Sequence, residues 1–392
     1  MNALELLEII ASGETSKVQF KEVLDNQVSF AAEMIAMSNS KGGIILVGVE
    51  DATGKIVGLD YAELQETSNK ISTIANELIK PLIYITTEVV TVSADDKSIA
   101  RVLVVHVGEG TNKPYKDNQG AIWIKQGSDK RRVTDNNEMM RLFKQSGNLL
   151  ADEMEVFGTS INDINRSLFE EFFEKEFKQS FEEKGLSYEQ ALKAKRVLRN
   201  GQLTLAGLLF FGKDPQSIKP AFTVKLVSFF GNDISETQYR SKPVDLRGTI
   251  PVLFKESLAW VKANLHSLQK EQNFNSIGVL EISEIALVEL IQNALVHRDY
   301  FKNSPVRIMI FDKRLEIISP GKLPNNLTVE DIKYGNPIIR NNQIVAFSTI
   351  LLPFSGLGSG IKRALKEQPD IEFVNDINGE QFKVVIPRPV KP

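Results

Sequence analysis

The sequence of 392 residues contains no cysteine. Disulfide bonds, thiolate zinc sites, iron–sulfur clusters and cysteine nucleophiles are therefore excluded. Long apolar runs are also missing, since none approaches the roughly 20 residues that a membrane-spanning helix needs. The opening MNALELLEII has neither a basic flank nor a cleavage pattern, so it does not predict a signal peptide. We therefore expect a cytoplasmic protein without a membrane partner.

The chain also lacks a net basic charge, since 47 Lys and Arg stand against 50 Asp and Glu. A formal charge of −3 gives no global field that would attract nucleic acid. The charge is uneven along the chain, however. Residues 1–109 hold 8 basic and 16 acidic side chains, whereas residues 110–144 hold 8 basic and 4 acidic ones. Any nucleic-acid site must therefore be local, and the segment 110–144 is favoured.

This basic segment carries Tyr115 and Trp123 among its Lys and Arg side chains. Basic side chains interleaved with aromatic rings can follow a phosphate backbone and stack bases. With two earlier lysines, the predicted nucleic-acid-binding residues are Lys21, Lys41, Lys113, Lys116, Lys125, Lys130, Arg131 and Arg132. A solvated hairpin followed by the start of a helix explains the same composition and stays open as the alternative.

Length and hydrophobic patterning predict an α+β fold in three parts. Residues 1–145 alternate short helices with β-rich apolar runs. Residues 146–275 begin acidic and continue as a middle α+β module. Residues 276–392 contain a helix at about 281–297, two strand pairs and a Gly/Pro/Asn-rich stretch at 319–342, which is long for an ordered connection.

Three features of the last part together indicate a phosphate site. Glu289 and Asn293 are four residues apart on the predicted helix, so their side chains share one face. A carboxylate so placed suits a general base, and an amide oxygen suits Mg²⁺. Ser319-Pro320-Gly321 follows a predicted strand. Gly356-Leu-Gly-Ser-Gly360 runs into a helix, and its N–H groups suit a phosphate.

In this order the segments resemble the GHKL, or Bergerat-fold, ATPases, the superfamily of gyrase B, MutL, histidine kinases and the ninety-kilodalton heat-shock chaperone. Residues 286–360 are similar to a bacterial GHKL branch assigned to ATP-binding transcriptional regulators. The similarity rests on ALVELIQNALVHRDY, RLEIISPGKLP, Arg340-Asn341-Asn342 and GLGSGIKRAL. It implies a C-terminal Bergerat-like α/β sandwich at 276–392 that binds ATP or another nucleotide with Mg²⁺. Relatives often dimerise, so it also implies a homo-oligomer.

By this resemblance, Glu289 is the general base and Asn293 the magnesium ligand. The glycines that would contact nucleotide are Gly321 in the first glycine segment and Gly356, Gly358 and Gly360 in the second. Residues 322–355 would form the lid over the nucleotide. The resemblance leaves hydrolysis open, with weak ATPase activity as the expectation.

Ser319 departs from the superfamily pattern. Relatives commonly place an Asp there, whose carboxylate bonds the adenine amino group. A hydroxyl accepts a hydrogen bond less strongly than a carboxylate, so nucleotide recognition through Ser319 is expected to be weak or altered. His297 follows Asn293 by one turn, and it either faces the pocket or serves as a cap.

A second set of motifs lies near the N-terminus. GETSKVQFK at 13–21 precedes a predicted helix, which ends at NSKGG, and ILVGVED and GKIVGL follow. These motifs and their spacings resemble the Schlafen AlbA-type domain over roughly residues 1–140. The resemblance implies nucleic-acid binding, with DNA as the expected partner as in bacterial members. A related domain in animal Schlafens cuts RNA with three clustered carboxylates.

Only two of those acidic positions carry a carboxylate here. The resemblance maps the first to Glu14 and the third to Asp51, with Glu50 as a neighbour, whereas the second position holds Gln19. Metal-assisted cleavage needs acidic oxygens to hold cations, so the amide argues against a nuclease. Turn chemistry is the alternative explanation for both carboxylates, because residues 51–54 are typical of a hairpin turn.

Three functions therefore stay open at the level of sequence. The first is a nucleic-acid-binding transcriptional regulator with a GHKL-like ATP-binding module. The second is a metal-dependent nuclease or ATPase, with phage defence as one setting. The third is a scaffold in which both sites have decayed, and retention of Glu289, Asn293 and the second glycine segment argues against it.

Overall fold

The computed structural model describes residues 1–93, 99–145, 149–268, 278–324, 327–336 and 338–389. The chain divides into two compact units, Met1–Leu149 and Leu150–Pro392. Both units combine helices with sheets, so the predicted α+β class is confirmed. The second unit holds both the expected middle module and the expected C-terminal module, and a boundary near residue 275 stays a prediction.

The first unit is built on a four-stranded mixed sheet in the order β1-β2-β5-β4. Its elements are α1 (Ala3–Ala11), β1 (Val18–Lys21), α2 (Gln27–Asn39), β2 (Gly43–Val47), α3 (Tyr61–Thr73), a π-helical turn (Ile74–Leu78), β3 (Ile79–Lys80), β4 (Ile85–Ser93), β5 (Ile99–Val107), β6 (Lys116–Asp117), β7 (Trp123–Gln126), β8 (Asp129–Arg132) and α4 (Asn136–Gln145). β1 and β2 are parallel, and the other two pairs of this sheet are antiparallel. β7 and β8 form a separate hairpin.

Helix α2 is almost completely buried because its sequence is apolar around most of its circumference. Asn26 caps its start by accepting from the Ser29 N–H at 2.9 Å. Its end is set by Gly42, whose φ of 69° allows its N–H to bond the Met37 carbonyl at 2.9 Å. Burial on all sides takes Glu33 into the interior, where its carboxylate requires partners.

The second unit folds around a six-stranded sheet in the order β12-β11-β15-β16-β18-β17. Its helices are α5 (Arg166–Phe177), α6 (Tyr188–Ala194), α7 (Leu205–Phe211), α8 (Pro215–Ile218), α9 (Ile250–Asn264), α10 (Glu284–Val296), α11 (Val329–Lys333), α12 (Asn342–Leu351) and α13 (Gly360–Glu367), with short 3₁₀ turns at Ala151–Glu153 and Ile161–Asp163. Its strands are β9 (Leu198–Arg199), β10 (Gln202–Leu203), β11 (Val224–Phe229), β12 (Tyr239–Leu246), β13 (Ser267–Leu268), β14 (Val279–Leu280), β15 (Val306–Ile310), β16 (Arg314–Pro320), β17 (Glu372–Asp376) and β18 (Gln381–Pro387).

The position of α10 follows from the apolar strands beneath it. β11 and β15 run parallel, and the remaining neighbours in the sheet are antiparallel. β15 and β16 are buried at almost every position, which matches their near-continuous apolar sequence. Helix α10 packs on β16, and α13 packs beside α10. The helix that carries Glu289 therefore meets the end of β16 and the start of α13.

An aromatic cluster fixes α12 against α5 and α7. The Phe347 ring lies edge-to-face with three rings of those helices, at centroid distances of 5.2 Å to Phe172, 5.3 Å to Phe210 and 5.1 Å to Phe211. Such arrangements place the positive ring edge on the negative ring face and add to the energy of burial. This packing gives α12 a fixed place next to α10.

The sequence located the central elements of the second unit correctly. The expected helix at about 281–297 is α10, and the two expected strand pairs are β15 with β16 and β17 with β18. The expectation of a continuous loop at 319–342 is wrong in part, because it contains α11. The segment assigned to the lid, 322–355, contains α12 as well. No helix in the described part of the chain is long and apolar enough to cross a bilayer.

Candidate functional site

The residues predicted to bind nucleotide line one cavity of the second unit. They come from three separated segments, namely Glu289 and Asn293 of α10, Ser319 and Gly321 at the end of β16, and Gly356, Gly358 and Gly360 before and at the start of α13. Apolar side chains complete the wall, among them Leu290, Ile317, Phe373, Phe382 and Val384. A mostly apolar cleft with a few convergent polar groups is typical of a small-molecule site.

Both carboxylate oxygens of Glu289 are engaged. The side chain is 6% exposed, and its Oε1 forms an ion pair with Arg363 Nη2 at 2.6 Å. Its Oε2 accepts from Gln292 Nε2 at 2.9 Å. The backbone of Gly360 passes so close that a Cβ at this position would overlap Glu289 Oε2. A side chain at position 360 would therefore force the Glu289 carboxylate to shift.

Asn293 borders the same cavity one turn further along α10. A Cβ built at Gly360 would lie 3.6 Å from its Nδ2, so the amide sits beside the second glycine segment. Mg²⁺ bound with nucleotide phosphates takes only one or two protein ligands, and a single amide oxygen here fits that pattern. Within the described residues, no group of three or more His, Cys, Asp or Glu side chains is placed to hold a metal ion alone.

Polar groups at the end of β16 are committed within the protein. Ser319 Oγ donates to the Ala294 carbonyl at 3.0 Å, which leaves its oxygen as an acceptor only. The Gly321 N–H donates to the Glu380 carbonyl at 2.8 Å. Gly321 has a φ of 98°, and a Cβ there would overlap Asp299. Gly321 therefore has no free N–H to offer a ligand, and its role is to let the backbone pass close to its neighbours.

His297 fulfils both roles that the sequence left open. Its ring lines the cavity, with its centroid 5.9 Å from that of Phe354. Its backbone N–H donates to the Asn293 carbonyl at 2.9 Å at the end of α10. Burial, with a smaller effect of the Arg340 charge, lowers the pKa of His297 to about 4. The imidazole is therefore neutral near pH 7, with one donor and one acceptor nitrogen.

The predicted acidic positions of the first unit are held in separate local contacts. Glu14 Oε1 accepts from the Gln19 side-chain amide and from the Phe20 N–H, the latter at 2.7 Å. Asp51 forms an ion pair with Lys21. These residues do not fit a metal site, because each carboxylate already has a partner and one of those partners is a cation. We derive no cleavage chemistry from them.

A buried lysine lies next to Gln19. The Lys125 side chain is 1% exposed, and its ammonium donates to Gln19 Oε1 at 2.8 Å, to Glu33 Oε1 at 2.5 Å and to the Ser128 carbonyl. Lys130, directly opposite Lys125 in the β7–β8 hairpin, reaches Glu33 Oε2 at 3.1 Å. The buried charge of α2 is therefore neutralised by the hairpin.

Two of the eight predicted phosphate-binding residues do not have the expected access. Lys125 is buried as described, and Lys113 is 4% exposed, donating to Glu109 Oε1 at 2.7 Å and to the Ser40 carbonyl at 3.1 Å. Tyr115 is buried in the core as well. The interleaved strip expected from the sequence is thus partly interior.

The other six keep access to solvent. Four of them pair with carboxylates, namely Lys21 with Asp51, Lys41 with Glu109, Lys130 with Glu33, and Arg131 with Glu138. Lys116 and Arg132 are exposed, and no carboxylate of the described residues lies within ion-pairing distance of either. These two are the strongest remaining candidates for phosphate contacts.

Comparison with known families bears on both units. Residues 14–134 match the family described as Schlafen, AlbA_2. Residues 303–386 match the family described as "Putative ATP-dependent DNA helicase recG C-terminal". The chain carries an AlbA_2 domain followed by a recG C-terminal-type domain. Together the two domains support a nucleic-acid-related ATPase function.

Comparison with whole proteins adds little. The DIP2311 protein from Corynebacterium diphtheriae has a crystal structure that aligns over 98% of this chain and 80% of its own, with 20% identity and a TM-score of 0.47. No curated protein matches the chain.

The recG C-terminal-type match begins after α10. It covers Ser319, Gly321 and the second glycine segment, whereas Glu289 and Asn293 lie before it. The AlbA_2 match covers Glu14, Gln19, Asp51 and all eight predicted basic residues. The assignment of Glu289 and Asn293 therefore rests on the cavity that they share with the matched segment.

Three residues of the cavity and its support were assigned no role from the sequence. Arg363 holds Glu289, and Arg340 lines the cavity, with Nη2 donating to the Lys322 carbonyl at 2.5 Å. Asp152 caps α12, since its Oδ2 accepts from the N–H of Gln343 at 2.7 Å. Both arginines lie in segments quoted for the family resemblance, so their positions carried a signal. Asp152 is 191 residues from its partner, and no local pattern reveals that contact.

Proposed function

We propose that this chain is a nucleic-acid-binding transcriptional regulator whose second unit binds ATP or another nucleotide with Mg²⁺. The observation that carries the proposal is the convergence of the three predicted segments on one cavity. Each segment alone is a common feature of unrelated proteins. Their meeting in one cleft, inside and beside a matched ATPase-type domain, favours a nucleotide as its ligand.

The chemistry of the cavity sets the orientation of the nucleotide. The glycine segment Gly356–Gly360 has no side chain to exclude phosphate at its glycines, and the N-terminus of α13 favours negative charge. Asn293 lies beside this end and would hold Mg²⁺, which neutralises phosphate charge when bound. The apolar end, with Ile317 and Phe382, suits the flat face of a base.

Hydrolysis, if it occurs, requires Glu289 to act as the base. Its carboxylate would take a proton from a water molecule, whose oxygen attacks the terminal phosphorus. The bond from that phosphorus to its bridging oxygen breaks, and nucleoside diphosphate and phosphate leave. Because one oxygen of Glu289 is held in an ion pair and the other accepts a hydrogen bond, we expect slow turnover.

The nucleotide half is tested by thermal denaturation of the full chain with ATP, ADP, GTP or GDP, each with and without Mg²⁺. A ligand that binds only the folded state raises the melting temperature as its concentration exceeds Kd. We expect a rise with at least one nucleotide, larger with Mg²⁺. Asn293→Ala is expected to weaken the Mg²⁺-dependent gain in nucleotide affinity by about tenfold or more, since a metal ligand is lost. Asn162→Ala, at an exposed asparagine of the same unit, is the matched control.

The nucleic-acid half is tested by electrophoretic shift at low and high salt. Binding through phosphates releases counterions, so affinity is expected to fall steeply as salt rises. A Lys116→Glu/Arg132→Glu variant is expected to bind less tightly and to show a shallower salt dependence. Lys366→Glu, an exposed lysine of the second unit, serves as the control. Failure of the chain to bind any DNA or RNA at low salt would contradict this half of the proposal.

A further inference from the structure

The ion pair between Glu289 and Arg363 joins two elements of the candidate nucleotide site. Glu289 comes from α10, and Arg363 lies on α13, which begins at the second glycine segment. Arg363 Nη2 stands 2.6 Å from Glu289 Oε1, which is a close ion pair. An oxygen committed in this way is not available to take a proton from water.

The two partners differ in their exposure. The Glu289 side chain is 6% exposed, whereas that of Arg363 is 47% exposed. Glu289 is also fixed by Gln292 and by the close backbone of Gly360. The carboxylate is therefore the fixed member of the pair, and the guanidinium, on a long side chain open to solvent, is the member that can move.

A phosphate bound at the start of α13 would give Arg363 a second anion to contact. Arg363 lies in the turn that follows Gly360, and its backbone N–H donates to the Ser359 carbonyl at 3.0 Å. A phosphate held by the segment Gly356–Gly360 would lie near the same helix terminus. A planar guanidinium binds phosphate with strong hydrogen bonds, so phosphate competes directly with Glu289 for Arg363.

We propose that Arg363 senses the terminal phosphate of a bound nucleoside triphosphate. Without that phosphate the guanidinium holds Glu289 in its resting contact. With it, Arg363 transfers to the phosphate and releases Glu289 Oε1. This inference rests on the proposed nucleotide function and adds selectivity for triphosphate over diphosphate to it.

If Arg363 exchanges Glu289 for phosphate, substitutions of the two residues should have opposite effects on triphosphate affinity. Removing the guanidinium takes away a contact made by the triphosphate alone. Removing the charge of Glu289 frees Arg363 in advance, so the triphosphate no longer has to break the ion pair. Arg363→Gln is therefore expected to weaken triphosphate binding, and Glu289→Gln to strengthen it.

The test is calorimetric titration of the full chain with Mg²⁺ and either adenosine 5′-(β,γ-imido)triphosphate or ADP, with the guanosine counterparts in parallel. For Arg363→Gln we expect the ratio of diphosphate Kd to triphosphate Kd to fall about tenfold, because one charge-assisted hydrogen bond is lost. Diphosphate affinity stays near the wild-type value. Arg363→Lys is expected to restore part of the ratio.

Lys362→Gln is the matched control, because it removes a neighbouring exposed cation of α13 that forms no ion pair with Glu289 among the described residues. In Glu289→Gln the ratio should rise, and the double variant should lose that gain. A ratio that is unchanged in Arg363→Gln, or that falls equally in Lys362→Gln, overturns the sensor role. Failure of the wild-type chain to bind any nucleotide overturns the proposed function instead.

Discussion

At the scale of single residues, the backbone of Gly360 lies against the carboxylate of Glu289. A Cβ there would overlap Glu289 Oε2, so the carboxylate would have to leave its present position. Gly360→Ala is therefore expected to weaken nucleotide binding and to lower the free energy of unfolding by about 1–3 kcal/mol. Calorimetric titration and denaturant unfolding measure the two effects.

The control for this substitution is Gly108→Ala, because the space around Gly108 is open and its φ is ordinary. That variant should bind nucleotide as the wild type does. If Gly360→Ala also behaves like the wild type, the close approach of the glycine segment to Glu289 is not a feature of the protein in solution.

Asp152 gives the second prediction at this scale. Burial raises the pKa of Asp152 to about 6. The hydrogen bonds that its carboxylate accepts from the N–H groups of Ile344 and Gln343 act in the opposite direction and are outweighed. Since the pKa is higher in the folded than in the unfolded chain, the folded state holds an extra proton between about pH 4 and 6. The contribution of this group to stability is therefore present at low pH and lost as pH rises through about 6.

Comparison with Asp152→Asn isolates this contribution. Asparagine still accepts from both N–H groups but does not titrate in this range. From about pH 7.5 to about pH 5, the free energy of unfolding of the wild type should rise relative to the variant by about 1 kcal/mol. Denaturant unfolding at the two pH values measures it. If the difference in free energy of unfolding between wild type and variant is the same at both pH values, the pKa of Asp152 is not raised.

At the scale of elements, the β7–β8 hairpin is tied to α2 by buried polar contacts. Lys125 reaches Glu33, and the Asn39 side chain donates to the carbonyls of Tyr115 and Trp123, both at 2.8 Å. These contacts satisfy polar groups that burial would otherwise leave unpaired. The basic residues that the sequence placed in one strip are thus divided between the interior and the surface.

Lys125→Met is expected to lower the free energy of unfolding by about 3 kcal/mol, because Glu33 loses one of its two cations inside the protein. Lys125→Met/Glu33→Gln should recover part of that loss, since the buried charge is gone. Lys116→Met, at an exposed lysine, should change stability little. Equal effects of Lys125→Met and Lys116→Met would show that the burial of Lys125 is wrong.

The same elements show what sequence reasoning could reach. Helix α10 and strands β15 and β16 follow from apolar periodicity and were predicted within a few residues. Helix α12 was missed because its segment was assigned to a lid, and packing of Phe347 together with the distant cap from Asp152 stabilises it. Strand β12 was missed because it is polar and mostly exposed, and only pairing with β11 makes it a strand.

At the scale of the whole molecule, the candidate nucleotide site was predicted residue by residue because its motifs are local. Glu289 and Asn293 share a helix face, and each glycine segment is contiguous. The ion pair to Arg363 depends on how α10 meets α13, which no spacing encodes. The acidic site of the first unit was inferred from two carboxylates, and their partners Gln19 and Lys21 became visible only in the fold.

The net charge of the whole chain likewise hides how its basic residues are distributed and exposed. A net charge of −3 conceals a basic segment, and that segment in turn conceals two buried lysines. Lys116 and Arg132 are chosen for the salt-dependent binding test because their side chains are exposed, and not because of the number of basic residues in the segment. A homo-oligomeric state and a role in transcriptional regulation stay predictions of the family resemblance.

The most direct measurement of the central claim is a crystal structure of the full chain grown with Mg²⁺ and a non-hydrolysable nucleoside triphosphate that binds in solution. We expect phosphate density between Asn293 and the segment Gly356–Gly360, with the base toward Ser319. Nucleotide bound elsewhere, or an ordered cavity that excludes it at saturating concentration, would contradict the account.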